Sequence, residues 1–363
     1  KAKDWLLALM KAPQSWTLPL QVLQRPATEA VSAEVRFYCA NIVSTKILKN
    51  WSTLQQTARE RTVDFLWRFV KQVPTPPKLV HERATIALAR ALLQQPVQVS
   101  GNGNANAALA RHAVTRSIVT VLQLAKSNPG QFVVVALRLL ISIVTELKGV
   151  PITVRHRRAV EAAIHAQHPV VAGFLNFALE GATKTKDTKL ALAVFATTTA
   201  WVPHGFNLRF LAQRQPVLFR LGFQILGRDA SGIVGSSPAV QKEQAAICVA
   251  VVDLIESVLN PDSLQSLTGG KLAQPDVHRV MGSIMGSVNS THKRFAVACS
   301  AGVDNDSETT VARALTKLTS TVVAAFAEVV CLGTMPPCIP IVSYLLEQTR
   351  NPDRSTAALT LNA

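Results

Sequence analysis

The sequence predicts an all-α protein: a HEAT-repeat α-solenoid, a superhelix of antiparallel helix pairs. Three observations predict this. Apolar residues recur at helical spacing through most of the 363 residues. No stretch alternates with period two for long, and no Asn-Gly hairpin joins two β-branched runs. Helix-breaking residues recur roughly every 15–25 positions, so helix pairs should repeat at about the 40–47 residues of HEAT-type units. Such units cannot bury an apolar face alone, so they stack.

The elements follow in order. Ala33 to Asn50 places Val35, Phe37, Tyr38, Ile42, Ile47 and Leu48 at helical spacing. Ser52 is placed to cap the next helix, which carries Val63, Leu66, Phe69 and Val70 on one face until Pro74, Pro76 and Pro77 stop it. Leu79 to Leu93 follows and ends at Pro96; Gly101-Asn-Gly-Asn-Ala-Asn then reads as a polar loop. Ala108 to Lys126 and Phe132 to Leu147 are separated by Asn128-Pro129-Gly130. Val133, Val134 and Val135 would suit a strand, but the helical face around them is longer and prevails. Pro151 begins a linker, Arg155 to Ala166 is helical, and Pro169 opens the next helix in its first turn. Thr185 to Thr199, Pro216 to Leu226, Ala239 to Leu259, 276–299, 307–331 and Ile339 to Gln348 complete the series.

Composition narrows the function. Hydrophobic residues make up 48% of the chain, too many for a disordered tail. The five cysteines, Cys39, Cys248, Cys299, Cys331 and Cys338, are odd in number and scattered, which fits a reducing compartment and excludes a disulfide framework. No secretory signal opens the chain, and Lys1 in place of an initiator Met reads as a trimmed or fragment end. Two uncharged runs are tested as membrane spans. Leu190 to Leu208 is broken by Thr197–Thr199, Pro203 and His204, and Val329 to Leu346 by Pro336, Pro337 and Pro340, so both read as buried helix plus loop of a soluble protein.

The net charge of +16 is uneven: residues 1–100 hold 14 basic against 6 acidic side chains, and residues 101–200 hold 11 against 4. An acidic partner near that end and an ordinary solvated basic surface are both compatible with this.

A series of motifs in residues 4–61 is then informative. Asp4-Trp5-Leu6, Trp16, Val22-Leu23, Glu34-Val35-Arg36-Phe37-Tyr38-Cys39-Ala40-Asn41-Ile42, Lys46-Ile47, Leu54 and Arg59 occur in this order. The series resembles the N-terminal repeats of the importin-β superfamily of nuclear transport receptors, most closely the transportin-SR and importin-thirteen branch. The resemblance extends more weakly through Phe132–Leu147, the basic segment Arg155-His156-Arg157-Arg158, and Thr197–Trp201 with Gly205-Phe206. It implies N-terminal repeats over 1–100 that hold the small GTPase Ran in its GTP form, and further repeats of a truncated arch over 101–363. It implies a receptor that shuttles between cytoplasm and nucleus and carries protein cargo, Arg/Ser-rich or other nuclear proteins, past Phe-Gly repeats of nucleoporins, with no membrane partner. The family is usually acidic, so the +16 charge is a departure. The alternative is a basic helical-repeat scaffold for RNA or a ribonucleoprotein.

Four residues stand out for partner binding: Lys46, near a helix end where a cation also favours the dipole, and the cluster Arg155, Arg157 and Arg158. For each the competing reading is a solvated surface cation. Trp5, Trp16, Phe37 and Tyr38 read as core of the first repeat. Enzyme, cofactor and metal signals are weak. The glycine loop has Asn106 where a dinucleotide fingerprint needs its third Gly, and there is no Walker lysine. His156, His165 and His168 have only Glu161 nearby, and Cys331 and Cys338 lack zinc spacing. No enzymatic activity, cofactor or metal is therefore expected.

Overall fold

In the computed structural model the described residues are 16–25, 31–72, 77–96, 112–206, 210, 238–259, 306–325 and 346. Among them every regular element is helical and no strand occurs. The helices are α1 Thr17–Gln24, α2 Ala33–Asn50, α3 Gln56–Val70, α4 Lys78–Leu93, α5 Ala113–Ser127, α6 Pro129–Glu146, α7 Val154–Ala166, α8 His168–Thr185, α9 Thr188–Trp201, α10 Pro238–Leu259 and α11 Asp306–Ala325. The helices expected at Pro216–Leu226, 276–299 and, apart from Leu346, Ile339–Gln348 lie outside the described residues, as does the Gly101 loop.

The chain is an all-α helical-repeat solenoid that divides into two compact units, Lys1–Val171 and Ala172–Ala363. In the first unit consecutive helices pack in pairs: α1 with α2, α3 with α4, α5 with α6. The second helices stack side by side, α2 on α4 on α6, and among the first helices α5 packs on α7. α4 also packs onto α5 and α6. In the second unit α10 packs against α9 and α11, and Lys317 bridges to Glu256 at 2.5 Å.

Local sequence explains the helix ends. Ser32, Thr153 and Asp187 accept backbone N–H groups of Val35, His156 and Leu190, each satisfying an otherwise orphaned donor. Pro129 sits in the first turn of α6, where it has no N–H to lose. Ser52 does not cap α3. The buried Trp51 holds residues 51–53 in a 3-10 turn, so the helix starts at Gln56, and the Ser52 carbonyl instead accepts Arg59 Nη2 at 2.8 Å. Gly205 ends the 3-10 turn Val202–His204 that follows α9, at φ 112°, a conformation open to glycine without strain. The turn lets buried Phe206 fold back to 5.4 Å from the buried Trp201 ring.

α4 is the core of the first unit. Its first turn is partly exposed, but Ala84, Ala87, Leu88, Ala89, Ala91 and Leu93 are wholly buried. The alanines let neighbouring helices approach closely, and each buried leucine contributes about 1.5–3 kcal/mol. α6 is the one described helix long and apolar enough to cross a membrane. Half of it is buried, against α4 and α5, and Arg138 lies in its middle, which are features of a core helix.

Polar groups set the register of the stack. Arg90 on α4 donates from Nε to Glu146 Oε2 on α6 at 2.7 Å, and from Nη1 to Ser44 Oγ on α2 at 2.9 Å. Gln94 Nε2 reaches the Ile47 carbonyl at 2.8 Å, and the Arg83 guanidinium lies 5.7 Å from the Phe37 ring centre. The offsets are 46 and 47 residues from α2 to α4, inside the expected repeat length, and 56 from α4 to α6. The longer second offset includes the sequence between Leu93 and His112.

Because Arg90 and Glu146 are both only 18% exposed, removing one partner leaves the other desolvated. Arg90→Ala should lower the stability of the chain to urea by about 2–3 kcal/mol. Arg61→Ala, on the exposed side of α3, should change it by less than about 0.5 kcal/mol.

Candidate functional site

Two surfaces of the first unit are candidates. The first is the open face of the second helices. Tyr38 on α2, Leu79 on α4 and Val134 on α6 are 50%, 63% and 42% exposed. Tyr38 was expected in the core; it instead stacks edge-on against the half-buried Phe37 at 5.9 Å and faces solvent. Between these residues, Arg138 Nη1 donates to His81 Nδ1 at 3.2 Å, and its Nη2 lies 3.8 Å from Glu82. Since arginine only donates, His81 Nδ1 accepts and Nε2 carries the proton, which it gives to the Val70 carbonyl at 3.1 Å. Burial, reinforced by Arg138, lowers the His81 pKa, so the ring is neutral.

The second candidate is a cleft of about 800 Å³ between α3 and α5, floored by the end of α4. Val63, Trp67, Leu92 and Pro96 give it an apolar bed, and Arg68, Lys71 and Arg116 stand over it. Lys71 Nζ lies 5.6 Å from the Trp67 ring centre. None of the sequence motifs above marks this cleft. The one available signal was the i, i+4 pair Trp67 and Lys71, since nothing in the sequence pairs α3 with α5.

The expected site residues fall into different environments. Lys46 is 7% exposed, its ammonium 5.7 Å from the half-buried Trp16 ring, and burial lowers its pKa. Its local role is to join α1 to α2. Arg157 is also engaged: Nη1 donates to the Leu147 carbonyl at 2.8 Å and Nη2 to that of Val150 at 3.3 Å, closing the C-terminal end of α6. Arg155 and Arg158 are exposed in the first turns of α7, where the helix dipole disfavours cations. They are the two of the four that are displayed to solvent. Trp5 lies outside the described residues.

The histidines are structural as well. His156 Nε2 donates to the Leu93 carbonyl at 2.8 Å, and His165 meets His168 edge-on at 4.7 Å. No group of three or more His, Cys, Asp or Glu side chains converges among the described residues. His112 caps α5: its Nδ1 accepts the Val114 N–H at 3.2 Å, so the buried Nε2–H is left without a partner. Burial, with His156 and Arg116 nearby, lowers its pKa to about 4.

No protein-family model and no curated protein matches the chain. Among solved structures, an engineered protein from the Northeast Structural Genomics Consortium is 16% identical over 99% of this chain and 97% of that one, at a TM-score of 0.25. A match at that score adds nothing to the fold derived above.

The His112 shift has a defined pH consequence. Above pH 6.5 the ring is neutral folded and unfolded, and contributes nothing. Below 6.5 the unfolded chain takes a proton that the folded chain refuses down to about pH 4, so stability falls through that window, by roughly 3 kcal/mol in all. His112→Asn keeps a capping side chain without the titration. Urea unfolding at pH 7 and pH 4.5 should therefore show a smaller loss for the variant than for the parent.

Proposed function

We propose that this chain is a nuclear import receptor of the importin-β type, binding Ran-GTP through its N-terminal repeats and carrying protein cargo between cytoplasm and nucleus. The observation that supports the reading most is the ordered motif series of residues 4–61. Its described members build the first repeat. Leu23, Cys39, Ala40, Ile42 and Ile47 are buried between α1, α2 and their neighbours, while Tyr38 is left on the open second-helix face. A stack of helix pairs also suits the task. Distant repeats touch only through their neighbours, so partners can select different curvatures, and Ran-GTP and cargo can oppose one another reciprocally.

One observation favours a second reading, a scaffold for RNA or a ribonucleoprotein. Residues 1–171 hold 22 Lys and Arg against 8 Asp and Glu, a net +14 of the chain's +16. A phosphate backbone would be drawn to that charge, and its binding would collapse steeply as salt rises.

A titration at physiological salt separates the two. The receptor reading expects the chain to bind Ran loaded with a non-hydrolysable GTP analogue clearly more tightly than Ran-GDP. Equal or absent binding by a folded, helical sample, together with steeply salt-dependent binding of single-stranded RNA, would transfer the assignment to the scaffold.

A further inference from the structure

We propose that the cleft between α3 and α5 is a docking site for an acidic segment of a partner protein. The site lies on the first helices, away from the open second-helix face, and goes beyond the Ran reading. Three observations lead to it.

First, the cleft is a built cavity of about 800 Å³ with an aromatic bed, large enough for several side chains of an extended segment. Trp67 is half-buried in it and offers a ring face to an apolar anchor.

Second, its cations lack an ionic partner. Arg68, Lys71 and Arg116 have no carboxylate within ion-pair distance among the described residues. Glu60 and Asp64 line the same cleft but do not neutralise them. The Glu60 carboxylate accepts Gln56 Nε2 at 2.8 Å, and Asp64 offers Arg68 Nε only its backbone carbonyl, at 3.4 Å.

Third, exposed cations are more numerous on this layer than on the second helices, which expose Lys49 and Lys78. α3, α5 and α7 expose Arg61, Arg68, Arg116, Lys126, Arg155 and Arg158. The second helices, by contrast, occupy Arg90 and Arg138 with Glu146, Glu82 and His81. An acidic segment would therefore be steered to the first-helix layer and fixed where the cations meet an apolar bed. The Trp67 ring and the buried Leu92 suit a peptide with a bulky apolar residue between carboxylates.

The test uses the full chain and a fluorescent synthetic peptide with Glu and Asp flanking a central Leu. The same peptide with Lys and Arg in place of the acids, and poly-uridine, serve as comparisons. The acidic peptide should bind and the basic one should not. Arg68→Gln and Arg116→Gln, each checked for helicity, should weaken binding roughly tenfold, as expected for loss of a charge-assisted contact. Trp67→Ala should weaken it further, and Lys126→Gln, exposed on α5 outside the cleft, should change it less than about twofold. Absence of acidic-peptide binding, or equal effects of Lys126→Gln and Arg116→Gln, would overturn the proposal. Tighter binding of poly-uridine through Arg68 and Arg116 would overturn it in favour of single-stranded RNA. The Ran titration reads nucleotide-dependent binding and the peptide assay reads charge- and Trp67-dependent binding, so either result can fail without the other.

Discussion

One guanidinium holds the first unit together. Arg90, on the most buried helix, donates at once to Ser44 on α2 and Glu146 on α6. Apolar packing supplies most of the energy of such a stack but is tolerant of sliding, because one leucine row fits a neighbouring groove about as well as the next. A fork of fixed geometry is not tolerant, since a slip of one residue leaves a desolvated carboxylate and a desolvated cation. The same logic repeats at Gln94 on the Ile47 carbonyl, Arg138 on His81, and His156 on the Leu93 carbonyl. Each ties one helix to the next through a group that cannot be satisfied in another register.

This division of labour shapes the surfaces. On the second helices the arginines are engaged within the structure, and the apolar Tyr38, Leu79 and Val134 face solvent beside Glu34, Lys49 and Lys78. On the first helices the cations of α3, α5 and α7 remain in solvent. The two layers therefore offer a partner different chemistry.

Much of the fold was legible in the sequence, and the reasons are particular. Ala33–Asn50 was bounded correctly because its helical spacing is unbroken, and the structure adds the Ser32 cap at its start. α6 was recognised as a helix despite its valine run, though it starts at Pro129 rather than Phe132, because proline in the first turn forfeits nothing. The start of α3 was misplaced because burial of Trp51, a tertiary fact, converts the expected cap into a 3-10 turn. The site was less legible. Lys46 and Arg157 look like ordinary surface cations until the Trp16 ring and the end of α6 are placed beside them. The cleft joins residues about fifty positions apart, Trp67 and Arg116, and no local pattern announces such a pair.

The central claim, that Arg90 couples three stacked helices, is tested most directly by native-state hydrogen exchange on the parent chain and Arg90→Ala. The account predicts faster exchange in α2 and α6 as well as in α4, since the variant frees Ser44 and Glu146 together. Faster exchange confined to α4, with α2 and α6 unchanged, would show that apolar packing alone sets the stack and would contradict it.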